Sequence, residues 1–274
     1  MTSEPDDILV TEIFSAIQGE GALVGERQVF VRLTGCNIRC GYCDQPEALE
    51  RRPGPCRIEQ TPGLRDWAVR ESPLPISSVA EAVDQLCSAL HHHSISLTGG
   101  EPLLQSARVA ALAAHLSRNG HDLMLETNGT LVAAFRRIRP WLCYVSMDLK
   151  LPSVDGERVD PDVQRSFLRT ALEVDRPTWV KIVIGPQTDL DEFDGAVSMV
   201  FEEAINAAHT RGEANPEAHA LSSGPEVFLQ PVTPFGTVLE APTPEQVLEL
   251  QARALGHYPR VRVVPQTHKA IGQL

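Results

Sequence analysis

The sequence has no long apolar run, no excess of positive charge and no second pair of closely spaced cysteines. Each absence removes a class of protein. A membrane-spanning helix needs about 20 consecutive apolar residues, so no span is expected and no membrane partner. Met1–Asp7 is polar and acidic, unlike a secretory signal, which makes a cytoplasmic location the expectation. With 36 Asp and Glu against 24 Lys and Arg, the formal net charge is −12, and the surface as a whole repels phosphate backbones. A broad nucleic-acid face is thereby excluded, although a local positive pocket is not. Six cysteines in 274 residues, of which 42% are hydrophobic, do not read as a disulfide scaffold, because a chain of this size buries enough apolar surface without staples.

What is present has a clear rhythm. Apolar runs at Gln28–Leu33, Ile95–Thr98, Leu123–Glu126, Tyr144–Asp148, Trp179–Ile184, Val227–Gln230 and Val261–Val264 read as strands. Helical spacing lies between them: Val79, Val83, Leu86 and Leu90 mark one face of a helix opened by Ser78 and Glu81 as a capping box. Thr243, Pro244 and Gln246 open another. Strands alternating with helices imply parallel pairing, hence an α/β barrel or an open α/β sheet within one domain over 1–274. Ligands of such folds gather at the carboxyl ends of the strands. Two stretches break the rhythm: 46–75, read as a long loop or lid, and 206–225, read as a surface excursion. No internal repeat is evident.

Three of the cysteines, Cys36, Cys40 and Cys43, form a C-x3-C-x2-C loop just after a strand, while Cys56, Cys87 and Cys143 are scattered and read as small packed side chains. Three thiolates on one tight loop can each bind one iron of a [4Fe–4S] cubane and leave the fourth iron free. Zinc with a histidine as fourth ligand is the alternative, but structural zinc sites usually pair two C-x2-C units. Chance clustering of packed cysteines is a third. Thr98-Gly99-Gly100-Glu101-Pro102 ends another strand. Its glycines permit close backbone approach to a ligand, and Glu101 offers a carboxylate to a cationic group. Alone it is an ordinary strand-to-helix turn. His91–His93 resembles a metal tract, yet the end of an amphipathic helix accounts for it through the helix dipole.

Together these residues resemble the radical S-adenosylmethionine (SAM) superfamily, and within it the 7-carboxy-7-deazaguanine synthases. The resemblance is carried by Glu12-Ile13-Phe14, Ile17-Gln18-Gly19-Glu20-Gly21 and Phe30–Asn37 at the start. It continues through Gly99–Pro102, Glu126-Thr127-Asn128-Gly129, Asp148-Leu149-Lys150 and Leu229-Gln230-Pro231, and closes with Pro265-Gln266-Thr267-His268-Lys269. It implies a partial (β/α) barrel, with a second copy as a homodimer and a reducing protein such as flavodoxin or ferredoxin as partners. The cluster would bind SAM through its open iron, and an electron would cleave SAM to a 5′-deoxyadenosyl radical. The substrate would be the pterin 6-carboxy-5,6,7,8-tetrahydropterin, contracted to 7-carboxy-7-deazaguanine with loss of ammonia for 7-deazapurine (queuosine-type) biosynthesis.

Residue by residue, the resemblance puts Ile17, Gln18, Gly19, Arg32 and Thr98 on the substrate. It puts Tyr42, Cys43, Asp44, Gly100, Ser146, Asp148, Lys150 and the run Gln230, Pro231, Val232, Thr233 around SAM. The terminal carboxylate of Leu274 would also reach the substrate. Chemistry agrees for two of these. Arg32 can meet a carboxylate with its guanidinium fork, although a surface ion pair is its alternative, and Gln18 can both donate to and accept from a pterin edge. His268 and Lys269 serve equally well as capping or solvated residues. Gln45 stands where the family has a threonine whose hydroxyl touches magnesium. A glutamine carbonyl is a hard ligand too, but it sits further from the backbone, which puts the use of Mg2+ in question. Two other functions remain open on sequence: an activase that makes a glycyl radical on a partner protein, and a zinc-stabilised binding module without catalysis.

Overall fold

Alternation along the strands decides the architecture, and the computed structural model describes it for residues 7–156 and 158–273. After β1 (Asp7–Ile8), strand β2 (Val10–Ile17) turns back as β3 (Arg27–Leu33), antiparallel to it. Then come β4 (Gly54–Glu59), β5 (Trp67–Ser72), β6 (Leu74–Pro75) and α1 (Ile76–Ala89). From there strand and helix repeat: β7 (Ser94–Gly99), α2 (Ser106–Arg118), β8 (Leu123–Thr127), α3 (Val132–Ile138), β9 (Tyr144–Leu149), α4 (Pro152–Asp155), α5 (Pro161–Leu172) and β10 (Thr178–Ile184). The chain ends with α6 (Leu190–Thr210), α7 (Pro216–Ser223), β11 (Glu226–Pro231), α8 (Pro244–His257), β12 (Val261–Val263) and α9 (Thr267–Ala270).

Among the described residues the main sheet runs β12-β11-β10-β9-β8-β7-β3-β2-β4-β5. From β3 to β12 every neighbour is parallel. The two ends of the order do not pair, so the barrel is partial. Successive side chains point to opposite faces. Val29, Val31, Ile95, Leu97, Leu125, Val145, Met147, Val180 and Ile182 join the large core under the helices. Their neighbours in sequence face inward. Met124, Trp179 and Phe228 close the floor of the barrel as a small apolar cluster, and the polar inward positions lie above it, toward the carboxyl ends. That division places charge where the loops can reach it.

The seven expected strands are all present. The segment 46–75 is not a loop: β4 and β5 form an antiparallel hairpin that lengthens the sheet beyond β2. Its signal is weak because only one face is covered; Cys56 and Ile58 are buried, whereas Val69 is 61% exposed. Nor is 206–225 an excursion, since its start finishes α6 and its end forms α7. Their polar faces simply meet solvent. The first helix opens at Ile76 after Pro75 without a side-chain cap, so Ser78 and Glu81 are inside it and Leu90 is its carboxyl cap. The Thr243–Gln246 capping box is present. His91–His93 follow the end of α1 rather than occupying its last turn. His92 Nε2 lies 2.7 Å from Ser15 Oγ and His93 Nδ1 lies 3.0 Å from Ser94 Oγ, so local hydrogen bonds hold them rather than the helix dipole.

Candidate active site

A cleft opens at the carboxyl ends of the parallel strands, and the cysteine loop forms one wall of it. Cys36, Cys40 and Cys43 all line the cleft, half-buried and free of disulfides. The loop is held from behind by backbone bonds: Gly35 N donates to Ala48 O at 2.7 Å and Cys36 N to Leu49 O at 2.9 Å. Burial pushes the Cys36 thiol up, and the Cys40 thiol up to about 12. Thiols in this setting become thiolates against the charge of a bound metal. Among the described residues no three His, Cys, Asp or Glu converge to hold one metal ion. In a cubane each of three cysteines takes its own iron. The residues present therefore fit a [4Fe–4S] cluster.

The Gly99–Pro102 turn also braces the cysteine loop, and its Glu101 does a different job from the expected one. Gly99 has a φ of +126°, and a Cβ there would overlap the backbone of Leu33. A Cβ on Gly100 would lie 2.6 Å from the Ala48 carbonyl oxygen. The two glycines thus let this turn pack against the base of the cysteine loop, where Glu101 N donates to Gly35 O at 2.7 Å. Glu101 itself is fully buried and meets no cation. Its carboxylate accepts from Leu103 N at 3.0 Å, Asn128 N at 2.8 Å and Thr127 Oγ1 at 3.0 Å. Burial outweighs these bonds and raises its pKa to about 7.

Opposite the cysteines stands a network of alternating charge. Lys181 pairs with Glu20, and its Nζ lies 3.0 Å from Asp148 Oδ1. The second pair follows from sheet register, in which Lys181 and Asp148 are direct neighbours. Asp148 Oδ2 accepts from Lys150 Nζ at 3.1 Å, and Lys150 also donates to the Tyr42 hydroxyl at 3.1 Å. Burial works against charge on both lysines, but Asp148 with Glu20 raises Lys181, and Tyr42, Asp148 and Asp155 raise Lys150. Both remain cations. Burial likewise opposes charge on Glu20, yet Lys181 and Gln266 hold it below the ordinary carboxylate value. Gln266 Nε2 donates to Glu20 Oε1 at 2.9 Å, and Lys269 Nζ lies 2.7 Å from Asp44 Oδ2.

Most of the residues singled out in the sequence share this cleft. Ile17, Gln18, Gly19, Arg32 and Thr98 line it, as do Tyr42, Asp44, Gln45, Gly100, Asp148 and Lys150, and then Gln230, Val232 and Thr233. Ser146 and Pro231 do not: Ser146 is buried on β9 one inward position below Asp148, and Pro231 ends β11. Leu274 lies outside the described residues. Gln18 is only 3% exposed and its amide is already committed. Nε2 donates to Gln28 Oε1 and Glu126 Oε1, each at 2.9 Å, and Oε1 accepts from Glu20 N at 3.0 Å. Both of its amide hydrogens are thus engaged inside the protein, whereas Oε1 keeps a second lone pair. Arg32 Nε pairs with Glu12 Oε2 at 2.9 Å in a half-closed setting, so it is neither fully free nor a surface pair.

Sequence reasoning passed over Glu126 and Lys181. Glu126 lines the cleft and accepts from Ser96 Oγ at 2.8 Å, Thr98 Oγ1 at 3.0 Å and Gln18. It lay inside a quoted motif, and its inward position on β8 was available from strand alternation. A lysine amid the apolar residues of Trp179–Ile184 was an equally visible signal. His268 also lines the cleft. A Cβ on Gly19 would lie 2.6 Å from the backbone nitrogen of His268, and Thr267 N donates to Gly19 O at 3.0 Å. The opening and closing motifs therefore touch.

A cubane-compatible cysteine loop at the mouth of a partial parallel barrel defines the radical SAM class, and the Radical SAM superfamily model matches residues 30–200. Three curated relatives narrow this. The 7-carboxy-7-deazaguanine synthase of Geobacter sulfurreducens is 37% identical, covering 96% of both chains. Those of Methanothermobacter thermautotrophicus, 32% identical over 96% of both, and Archaeoglobus fulgidus, 34% identical over 95% of this chain and 96% of that one, are similar. The chain belongs to the 7-carboxy-7-deazaguanine synthase family of radical SAM enzymes. Among solved structures, QueE from Escherichia coli shares the fold with a TM-score of 0.55 at 17% identity, covering 94% of this chain and 93% of that one. No helix among the described residues is long and apolar enough to cross a membrane.

Proposed function

We propose that this enzyme converts 6-carboxy-5,6,7,8-tetrahydropterin to 7-carboxy-7-deazaguanine with loss of ammonia. The observation that carries the proposal is the meeting of Gly19 with Thr267 and His268 in the cleft that holds the three cysteines. Those two segments separate this family's signature from that of other radical SAM enzymes, including glycyl-radical activases. With SAM, the cluster held by Cys36, Cys40 and Cys43 supplies hydrogen-atom abstraction; the protein binds, orients and excludes water. Tyr42, Asp44, Gly100, Asp148, Lys150 and the 230–233 run surround SAM. Arg32, its Nε engaged by Glu12, keeps its outer guanidinium edge for the substrate carboxylate. Glu126, braced by Ser96, Thr98 and Gln18, accepts from the N–H edge of the pterin. Lys181, held between Glu20 and Asp148, keeps positive charge beside the anionic ligands without taking part in proton exchange near neutrality.

The chain acts in the cytoplasm as a single-domain homodimer and receives electrons from a small reducing protein of the flavodoxin or ferredoxin type. Magnesium is not required. The carboxylate beside Gln45, that of Asp44, is engaged by Lys269, and Mg2+ usually binds through one or two carboxylates. A shorter hydroxyl at this position suits tight octahedral geometry, so Gln45→Thr should leave turnover intact and raise its dependence on added Mg2+. Strong stimulation of the natural protein that disappears in the variant would instead make Gln45 a ligand. The activity itself is tested by anaerobic incubation with SAM, reductant and the carboxytetrahydropterin, followed by mass analysis. A brown, cluster-loaded protein that leaves the pterin unchanged refutes the proposed reaction.

A further inference from the structure

Asn128, on the loop after β8, is tied to the cysteine loop by a closed ring of side chains. Its Nδ2 donates to Asn37 Oδ1 at 2.9 Å, Asn37 Nδ2 donates to Thr130 Oγ1 at 2.8 Å, and Thr130 Oγ1 donates to Asn128 Oδ1 at 2.6 Å. The Thr130 backbone N–H also donates to Asn128 Oδ1 at 3.2 Å. A backbone N–H can only donate, so it identifies that atom as the carbonyl oxygen and leaves the NH2 on the other side. One hydrogen of that NH2 serves Asn37. The nitrogen also lies 3.9 Å from Cys36 Sγ. Asn128 is 7% exposed, and its backbone is pinned from below by Glu101 through Asn128 N. The amide has little freedom to turn elsewhere.

We propose that Asn128 is a positioning residue that donates its second amide hydrogen to the Cys36 thiolate and thereby raises the reduction potential of the cluster. Reduction adds an electron that spreads over the sulfur ligands. A donor aimed at one of them stabilises the reduced form more than the oxidised form, and hydrogen bonds to sulfur are among the factors that set cluster potentials. The ring through Asn37 and Thr130 makes the donor preorganised, so its orientation costs nothing at the moment of reduction. The proposal rests on the family's use of a cluster at these cysteines, and it adds a residue that acts on the cluster through Cys36.

The test is an anaerobic redox titration of the reconstituted holoenzyme without SAM, followed by the electron-paramagnetic signal of the reduced cluster, with iron and sulfide analysed in each sample. Asn128→Leu should make reduction roughly tenfold less favourable, a shift of about 59 mV to more negative potential for one electron. Asn128→Asp, which exchanges the donor for a charge, should shift it at least as far. Asn37→Ala removes a ring member but leaves the donor, and should shift it much less. If Asn128→Leu fails to load iron, Thr130→Val combined with Asn37→Ala, which frees the amide without deleting it, should still move the potential in the same direction. Full iron content with unchanged potential in the Asn128 and Thr130 variants overturns the inference, as does an equal shift in Asn37→Ala. Absence of a cluster in the natural protein would instead strike at the functional assignment.

Discussion

Replacing Lys181 by methionine tests the charge network on which the cleft depends. Lys181 is 12% exposed and stands between Glu20 and Asp148, at 18% and 24%. Methionine keeps the aliphatic length and removes the charge. Breaking a buried ion pair by deleting one partner costs about 3–5 kcal/mol, because the other charge is left uncompensated. Here the loss is partly cushioned: Asp148 retains Lys150 at 3.1 Å, and Glu20 retains Gln266 at 2.9 Å. The lower end, about 3 kcal/mol, is therefore expected at neutral pH, or roughly 5 °C in melting temperature for a chain of this size.

The pH dependence distinguishes this cause from lost packing. In the natural protein Glu20 is held below its ordinary value of 4.5, so its contribution is present above that value and is lost as pH falls through the folded pKa. Without Lys181, burial is no longer outweighed and the Glu20 pKa rises above the unfolded one. A protonated Glu20 costs little in that setting, so the variant's deficit should shrink as pH falls from neutrality toward the ordinary value of 4.5. Calorimetry of anaerobically prepared protein across that range measures it. A deficit that stays constant with pH, or one below about 1 kcal/mol, would refute the electrostatic reasoning.

Cys36→Ala, Cys40→Ala and Cys43→Ala should each abolish iron–sulfur absorbance and activity together, whereas alanine at Cys56, Cys87 or Cys143 should preserve both; loss of the cluster in Cys87→Ala with retention in Cys40→Ala would reverse the assignment. Gly19→Ala forces the His268 backbone away and should cost roughly 1–3 kcal/mol through overpacking, with faster amide exchange in α9; unchanged exchange there would show that the two motifs do not lean on each other. Glu101 has a folded pKa of about 7 against 4.5 for the free group, so the folded state binds the extra proton and stability should fall as pH rises through that window. Glu101→Gln should remove that slope, and a denaturant series that finds it intact would point to another group.

The seven parallel strands, β3 and β7 to β12, and the cysteine loop are legible in the amino-acid sequence, because each is encoded over short distances. Period-two runs such as Tyr144–Asp148 mark strands whatever their neighbours, and a C-x3-C-x2-C spacing limits what three thiolates can bind. Strand alternation even carried the inward placement of Glu126 and Lys181, although neither stood out as a site residue. Features that depend on a partner distant in sequence emerge only from the folded chain. The β4–β5 hairpin was hidden because an edge hairpin covered on one side lacks a clear apolar rhythm. Glu101 read as a ligand to a cation and proved to be a buried brace, because its partners Thr127 and Asn128 come from the next strand end. Gln18 read as both donor and acceptor for substrate, yet both of its amide hydrogens are spent on Gln28 and Glu126. A side chain's donors and acceptors are known from its type; which of them remain free is settled only when folding brings the competing groups within about 3 Å.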